Sequence, residues 1–336
     1  MSSYCKFYKE KRQVSYDNGI TFIDVTPAEY RKGELIERDS PDCGYVPPTP
    51  PASGQYLTFV AIDSGTFSFS GSSSGSVDNS SIQYSLDSGS TWYTLNRNVQ
   101  SPTISAGEKI MWKSTSLQPL PWSNGIAKGI GNFSSTGRFN VEGNVMSLLY
   151  GDNFGDKLSL SGKNGAFGRL FINCNGLISA ENLILPATTL SDSCYHYMFE
   201  YCTSLTTAPE LPATTLVDMC YYYMFYGCTS LTTAPALPAT TLTNNCYAGM
   251  FYGCSSLTTA PVLPATTLAT YCYIVMFAGC TSLNYIKCLA TDISATDCTT
   301  NWLDGVSSSG TFVKNASTTW PTGANGIPSG WTVQNA

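Results

Sequence analysis

The chain has 336 residues and a net charge of −6, and only 12% of its residues are charged, a small share for a globular protein. Phosphate binding needs clustered Lys and Arg, which the sequence lacks, so the composition argues against a nucleic-acid partner. The apolar fraction of 43% suffices for hydrophobic cores, whereas no run approaches the roughly 18 apolar residues of a membrane-spanning helix.

The beginning of the chain, residues 1–45, is richer in charge than the rest and too short for a comfortable core of its own. Within it, Ser15–Phe22 follows the Asp-box pattern Ser-x-Asp-x-Gly-x-Thr-[Trp/Phe], in which Asp and Gly favour a hairpin turn. We therefore predict an N-terminal anchor segment that docks on a partner protein. The prolines of residues 46–54 predict a semi-rigid linker. The first residues lack the apolar segment of a signal peptide, so with Met1 as the native start we expect folding in the cytoplasm.

Residues 55–138 alternate short β-rich runs with clusters of Gly, Ser and Asn, which predicts a small β-sandwich. A second Asp-box, Ser85–Trp92, places a hairpin there. Asp-boxes also occur in sialidase propellers, which keeps a glycan-active enzyme open as an alternative. A glycosidase needs two carboxylates across a cleft, and no such pairing is evident, so we predict no enzymatic activity. A glycan-binding sandwich that uses Trp92, Trp112 or Trp122 is a further alternative.

A repeat dominates the second half of the chain. Leu-Pro-Ala-Thr-Thr-Leu begins at Leu185, Leu211, Leu237 and Leu263, so the period is 26 residues. Each copy continues through Cys-Tyr-x-x-Met-Phe-x-x-Cys, and weaker copies flank the four clear ones. This pattern predicts a leucine-rich-repeat solenoid of about six coils over residues 139–310, in which stacking of neighbouring coils supplies the core. Residues 311–336 are predicted to form strands that cap the stack.

Helical spacing explains the residues that never change between copies. Cys194, Met198 and Cys202 are four residues apart and predict one face of a helix, with Tyr195 and Phe199 beside it. The following Ser-Leu-Thr-Thr-Ala-Pro predicts a turn into a short extended segment. The expected fold is therefore α+β and multidomain. Fixed residues are expected to face the core, and variable ones to face water or a ligand.

The 13 cysteines are expected to be reduced and buried. Cys220 and Cys228 would lie about 12 Å apart along a helix, too far for a disulfide. Zinc is a remote alternative, because no Cys-x-x-Cys pair occurs and His196 is the only histidine. We predict neither a metal site nor a cofactor.

The segment Phe225–Thr233, with the Leu-Pro that follows it, resembles the BspA-like leucine-rich repeats of bacterial surface adhesins. The whole-chain architecture, including the ending Gly326–Val333, looks like proteins of gut bacteria and their tailed phages. The resemblance implies adhesion or a virion role. The expected protein is thus a non-enzymatic phage fibre or a capsid or tail decoration subunit, located in the virion, with residues 1–45 docked on a virion protein. Its solenoid would bind a host-surface protein or glycan.

Two alternatives to that role stay open. One is a bacterial cell-surface adhesin of the same family, and the other is a glycan-binding or glycan-active protein that uses the sandwich. The oligomeric state is also open, because fibre proteins are often trimers but no heptad run specifies one here.

The candidate ligand-binding residues lie at the variable repeat positions. Three are in the second clear copy and two are at matching offsets in its neighbours: Tyr222, Tyr223, Tyr226, Tyr197 and Tyr252. Tyrosine gives broad amphipathic contact at low entropic cost, which is why recognition surfaces favour it. The competing interpretation is that these rings only cover a helical face.

Overall fold

The computed structural model describes residues 55–74, 77–120 and 128–336, and three N-terminal strands, β1 (Tyr4–Tyr8), β2 (Lys11–Ser15) and β3 (Ile23–Val25). The chain divides into two compact units, Met1–Ala52 and Ser53–Ala336. In the first unit β1, β2 and β3 form an antiparallel sheet in that order. Most of the predicted Asp-box that begins at Ser15, and the whole of the predicted linker, lie outside the described residues.

The second unit begins with two packed β-sheets and a separate two-stranded β-ribbon, formed by its third and fourth strands in sequence order. Its strands are β4 (Leu57–Ala61), β5 (Phe67–Gly71), β6 (Ser73–Ser74), β7 (Val77–Asp78), β8 (Ser81–Ser85), β9 (Tyr93–Asn96), β10 (Lys109–Lys113), β11 (Gly131–Ser135), β12 (Phe139–Asn144) and β13 (Leu177–Ile184). The larger sheet has the order β13-β12-β4-β10-β8-β9, and β11 pairs with β5 in a second sheet. Phe59 of the larger sheet lies 5.2 Å from Phe67 and 4.8 Å from Phe133, measured between ring centroids. The two sheets therefore enclose an aromatic core.

The larger sheet continues into the repeats. After β12 come a short helix α1 (Ser147–Tyr150) and a 3-10 turn (Gly151–Asn153), and the chain returns as β13, parallel to β12. The sheet thus crosses residue 139, where the sequence predicts the repeats to begin. Consequently, the sheets and the repeats share a continuous hydrophobic core.

Residues 158–314 form six stacked coils, which we call the coil stack. Neighbouring coils are joined by backbone hydrogen bonds between residues 25 apart in the regular repeats. Tyr195 N, for example, donates to Cys220 O at 3.0 Å, and Tyr221 N donates to Cys246 O at 3.1 Å. Since each coil contacts only its neighbours, the hydrophobic core grows by stacking.

The predicted helices of the repeats are wrong. The segment 191–202 and its equivalents are runs of turns in which backbone donors alternate between two partners. Met198 N donates within the coil to Tyr195 O at 3.2 Å, whereas Phe199 N donates to Met224 O of the next coil at 2.9 Å. The described residues are almost entirely strand and turn, with α1 as their one α-helix, so the α+β fold class is wrong as well.

The backbone conformation of the turn runs explains why the four-residue spacing was mistaken for that of a helix. Every fourth residue of a turn run has a positive φ, as at Ser193 (56°), Tyr197 (53°) and Tyr201 (55°). A left-handed residue interrupts a right-handed helix and costs about 1–2 kcal/mol when it is not glycine. The four-residue period of core positions therefore comes from a repeating turn unit. Hydrogen bonds to the next coil replace those that a helix would make within itself.

Two columns of aromatic rings fill the coil stack. One column contains Phe171, Phe199, Phe225, Phe251 and Phe277, with neighbouring centroids 5.3–5.6 Å apart and ring planes within 9° of parallel. The other contains Phe167, Tyr195, Tyr221, Tyr247, Tyr273 and Trp302. These rings are all buried, which confirms that the fixed residues of the Cys-Tyr-x-x-Met-Phe-x-x-Cys segment face the core. The equally fixed Thr-Thr pair of each repeat is exposed instead.

The variable positions differ from the expectation. His196 and Glu200 are buried rather than outward, and Ala248 and Ala278 are buried as well. The tyrosines at these offsets are half-buried. The turn runs lie so close together that a large side chain at a variable position packs against the neighbouring coil before it reaches water.

A small parallel sheet follows the repeats. Its strands are β14 (Tyr285–Cys288), β15 (Thr311–Lys314) and β16 (Thr332–Asn335), paired in that order. The strands predicted within residues 311–336 are therefore present, as β15 and β16. We call residues 311–336 the C-terminal cap. Among the described residues, no helix has the length and apolar character needed to cross a bilayer.

The eleven cysteines whose side chains are described are free and buried. The argument from helical spacing does not apply, because Cys220 and Cys228 lie at the two ends of a run of turns and not on a helix. The thiols form hydrogen bonds with backbone carbonyls: Cys228 Sγ donates to Phe199 O at 3.1 Å, and Cys254 Sγ donates to Phe225 O at 3.2 Å. A cysteine here is both a small apolar side chain and a donor to a buried carbonyl.

We expect these eleven thiols to react with a maleimide only after denaturation. Burial raises the pKa of Cys194 and Cys246 to about 12, so the reactive thiolate is scarce even at pH 9. Cys5 and Cys43 are not among these eleven cysteines and should be replaced by Ser first, so that only the eleven thiols are counted. Mass spectrometry of labelled protein reads the count directly. Disulfides in freshly purified protein, or rapid native labelling of several thiols, would contradict this prediction.

Candidate functional site

The five tyrosines predicted as a ligand-binding surface lie together on the turn runs of three consecutive coils. A sixth ring, Tyr201, joins them, and we call the six the tyrosine cluster: Tyr197, Tyr201, Tyr222, Tyr223, Tyr226 and Tyr252. Each ring is in contact with at least one other ring of the set. A tyrosine side chain has only two rotatable bonds, and all six tyrosines lie on a hydrogen-bonded backbone. The surface is therefore largely preformed.

Tyr223 is the centre of the cluster. Its ring centroid lies 4.6 Å from that of Tyr222, 5.4 Å from Tyr197, 5.5 Å from Tyr226 and 6.4 Å from Tyr252. The Tyr197 contact is stacked, whereas those with Tyr222 and Tyr226 are edge-to-face. These separations are typical of favourable aromatic pairs. Loss of Tyr223 would therefore disorganise the whole cluster.

Glycines of the next coil make room for two of the rings. A Cβ on Gly249 would lie 2.4 Å from Tyr223 Cε1, and a Cβ on Gly227 would lie 2.5 Å from Tyr201 Cδ1. Both glycines have positive φ, 58° and 71°. Glycine at these offsets thus satisfies the turn and lets the ring of the preceding coil lie across the junction between coils.

The hydroxyl groups give the cluster its polar chemistry. Tyr201 OH donates to Tyr226 OH at 2.7 Å. That hydrogen bond and burial raise the pKa of Tyr226 to about 12, and burial raises the pKa of Tyr223 to about 12. The hydroxyls of both residues are therefore neutral at physiological pH. They can donate and accept hydrogen bonds with sugar hydroxyls or peptide groups.

One edge of the cluster carries the charged pair Arg169 and Glu200. Arg169 Nη2 lies 3.8 Å from Glu200 Oε2, and its guanidinium lies 5.2 Å from the centroid of the Tyr197 ring. Burial raises the pKa of Glu200. The pair supplies a cation–π contact to the cluster. It also places one positive and one negative group beside the aromatic surface.

Sequence reasoning missed Tyr201. It occupies the offset that holds glycine in the next three copies, Gly227, Gly253 and Gly279. The available signal was this replacement of a repeated glycine by an aromatic residue. It was not used because helical geometry was assumed, and in a helix that offset does not lie beside Tyr226.

The second Asp-box forms the hairpin that the sequence predicts, between β8 and β9. Ser85 Oγ donates to Asp87 Oδ1 at 2.7 Å, and Thr91 N donates to the same oxygen at 2.8 Å. These hydrogen bonds, that from Thr91 first, lower the pKa of Asp87 to about 2. The motif therefore stabilises a turn.

The sandwich tryptophans are less suited to a ligand than the tyrosine cluster. Trp112 is fully buried in the aromatic core, and Trp122 lies outside the described residues. The ring of Trp92 is covered by the Lys113 ammonium at 4.1 Å, and Lys113 Nζ itself donates to Asp152 at 2.7 Å. Through Lys113, Trp92 thus connects the Asp-box hairpin to the 3-10 turn.

Within the part of the chain that the structure describes, no group of three or more His, Cys, Asp or Glu side chains could hold a metal ion. No family model matches this chain, and neither does any curated protein or solved structure.

Proposed function

We propose that this chain is a non-enzymatic structural protein of a phage virion, a fibre or a capsid or tail decoration subunit, whose coil stack binds the host surface. Residues 1–45 would dock on another virion protein. The tyrosine cluster would contact a host-surface protein or glycan. The resemblance of the repeats to those of BspA-like adhesins supports an adhesive role.

The observation that carries this proposal is the tyrosine cluster. Six rings gather on one face of three coils. The coil that follows these three has Ile274, Val275 and Ala278 at the corresponding offsets. Three of the tyrosines, Tyr197, Tyr201 and Tyr223, occupy left-handed positions at a conformational cost of about 1–2 kcal/mol each. A repeat that only needed to cover its surface could use glycine there, as Gly249 does. Left-handed non-glycine residues recur along the other turn runs too, as at Val275, so the feature that supports a recognition role is the gathering of six aromatic rings on one face.

The cysteines favour the virion over an exported adhesin. Exported proteins fold in an oxidising environment, where thiols that are close together tend to form disulfides. In this chain the eleven described cysteines are free, and each repeat buries two of them. This usage suits a protein that folds in a reducing cytoplasm and leaves the cell on lysis.

Quantitative mass spectrometry of purified virions and of cell-envelope fractions, from cultures of the bacterium that carries the gene, tests the proposal. We expect the chain to co-purify with virions through a density gradient in a fixed ratio to the major capsid protein. Its recovery in envelope fractions alone would contradict the virion role and favour the bacterial adhesin.

A further inference from the structure

The C-terminal cap contains a cavity that the proposed function does not use. It has a volume of ≈ 350 Å³ and lies between β15, β16 and the connection that joins them. Its walls include Lys314, Trp320, Thr322, Ile327, Pro328 and Trp331. Volumes of about 300 Å³ and above are typical of small-molecule sites.

Lys314 gives this cavity a positive charge that no acidic side chain of the described residues neutralises. Its ammonium donates to Thr318 O at 2.7 Å and to Asn315 O at 3.2 Å, which fixes its position and leaves a third hydrogen. Both partners are neutral carbonyls. Between Gly305 and Ala336, Lys314 is the only residue with a charged side chain, in a chain whose net charge is −6. Among the described residues, no Asp or Glu forms an ion pair with it.

Trp320, which also lines the cavity, carries a buried N–H group without an acceptor among the described residues. Three buried indoles lie in the cap and in the last coil next to it, and two of them donate to backbone carbonyls: Trp302 Nε1 to Gly326 O at 2.9 Å and Trp331 Nε1 to Ser307 O at 2.8 Å. Trp320 Nε1 is buried and has no acceptor among the described residues. Trp112 Nε1 shares that state in the sandwich core, but Trp112 does not line this cavity. A buried donor beside a cavity is normally satisfied by water or by a ligand.

The walls are held rigidly. The Trp320 ring stacks on Trp302 at 5.3 Å between centroids, with an interplanar angle of 13°. Opposite it, Ile327 N donates to Pro321 O at 2.9 Å and Gly323 N donates to Ile327 O at 2.8 Å. A ligand would therefore meet a preformed site, which lowers the entropic cost of binding.

We propose that this cavity binds an acidic monosaccharide, a sugar ring that carries a carboxylate. The carboxylate would accept from the Lys314 ammonium. Ring hydroxyls would pair with the hydroxyls of Thr322 and Ser329, and the C–H face of the sugar would pack on Pro328 and Ile327. The site is separate from the tyrosine cluster, which lies on earlier repeats.

Titration of the full chain with glucuronic acid, followed by two-dimensional NMR or calorimetry at low salt, tests the proposal. We expect saturable binding with a dissociation constant on the order of 1 mM, as for a small polar ligand. Glucose has a neutral hydroxymethyl group in place of the carboxylate of glucuronic acid, and it should bind about tenfold more weakly or worse. Lys314→Met should abolish the preference for glucuronic acid, whereas Lys314→Arg should retain it.

Lys287→Met is the matched control, because Lys287 lies on the neighbouring strand β14 and does not line the cavity. It should bind glucuronic acid like the wild type. Melting curves verify that each variant is folded. Equal affinity for glucose and glucuronic acid, unchanged binding by a folded Lys314→Met variant, or absence of saturable binding by the wild type would overturn the proposal. The Tyr222→Ala, Tyr226→Ala double variant should still bind glucuronic acid, which separates this test from that of host attachment.

Discussion

Replacing Phe225 by alanine is expected to lower the free energy of unfolding by roughly 3–5 kcal/mol, the usual cost of truncating a buried aromatic ring. Phe225 is fully buried and lies between Phe199 and Phe251, at 5.3 and 5.6 Å between centroids and with ring planes 3° and 4° apart. The substitution removes a contact with both neighbouring coils at once. In a stack where each coil is stabilised only by its neighbours, the defect weakens two interfaces.

The melting temperature measures this effect, and Tyr226→Ala is the matched control. Both residues are aromatic and adjacent in the same turn run, but Tyr226 is only half-buried. At about 2–4 °C for each kcal/mol in a chain of this size, Phe225→Ala should lower the melting temperature by about 10 °C, and Tyr226→Ala by clearly less. Comparable shifts for the two variants would show that the assignment of inner and outer faces is wrong.

The double variant Tyr222→Ala, Tyr226→Ala is expected to abolish attachment to host cells. Both rings are in edge-to-face contact with Tyr223, at 4.6 and 5.5 Å between centroids. Their removal takes away two hydroxyls and leaves Tyr223 without these two contacts. Aromatic residues at the centre of an interface commonly contribute 2 kcal/mol or more each, so the loss of two should weaken binding by roughly a thousandfold.

Binding of fluorescently labelled protein to intact bacteria, measured by flow cytometry, provides the assay. Two exposed tyrosines outside the cluster supply the controls: Tyr285→Ala on strand β14 and Tyr93→Ala on the Asp-box hairpin should both attach normally. Attachment that survives the double variant in folded protein would rule out the tyrosine cluster. Attachment lost only in Tyr93→Ala would move the site to the sandwich.

Several features of this molecule could be obtained from the sequence because they depend only on comparison of the copies. Invariant apolar positions, such as Met224 and Phe225, are buried, since a core built by stacking must present the same shape at every coil. The five candidate tyrosines were also found in this way. They stand at equivalent offsets of neighbouring copies, and equivalent offsets are adjacent in any stacked repeat, whatever its backbone.

What only the tertiary structure decided is the backbone of the turn runs and everything that depends on it. A spacing of four residues fits both a helix and a chain of turns with a left-handed residue at every fourth position. Hydrogen bonds to residues 25 positions away, such as that from Phe225 N to Met250 O, decide between these two backbones in favour of the turns. Those bonds bring Tyr201 beside Tyr226 and place the cysteine thiols against the phenylalanine carbonyls. No local pattern contains them, because each forms only when the next coil is already in place.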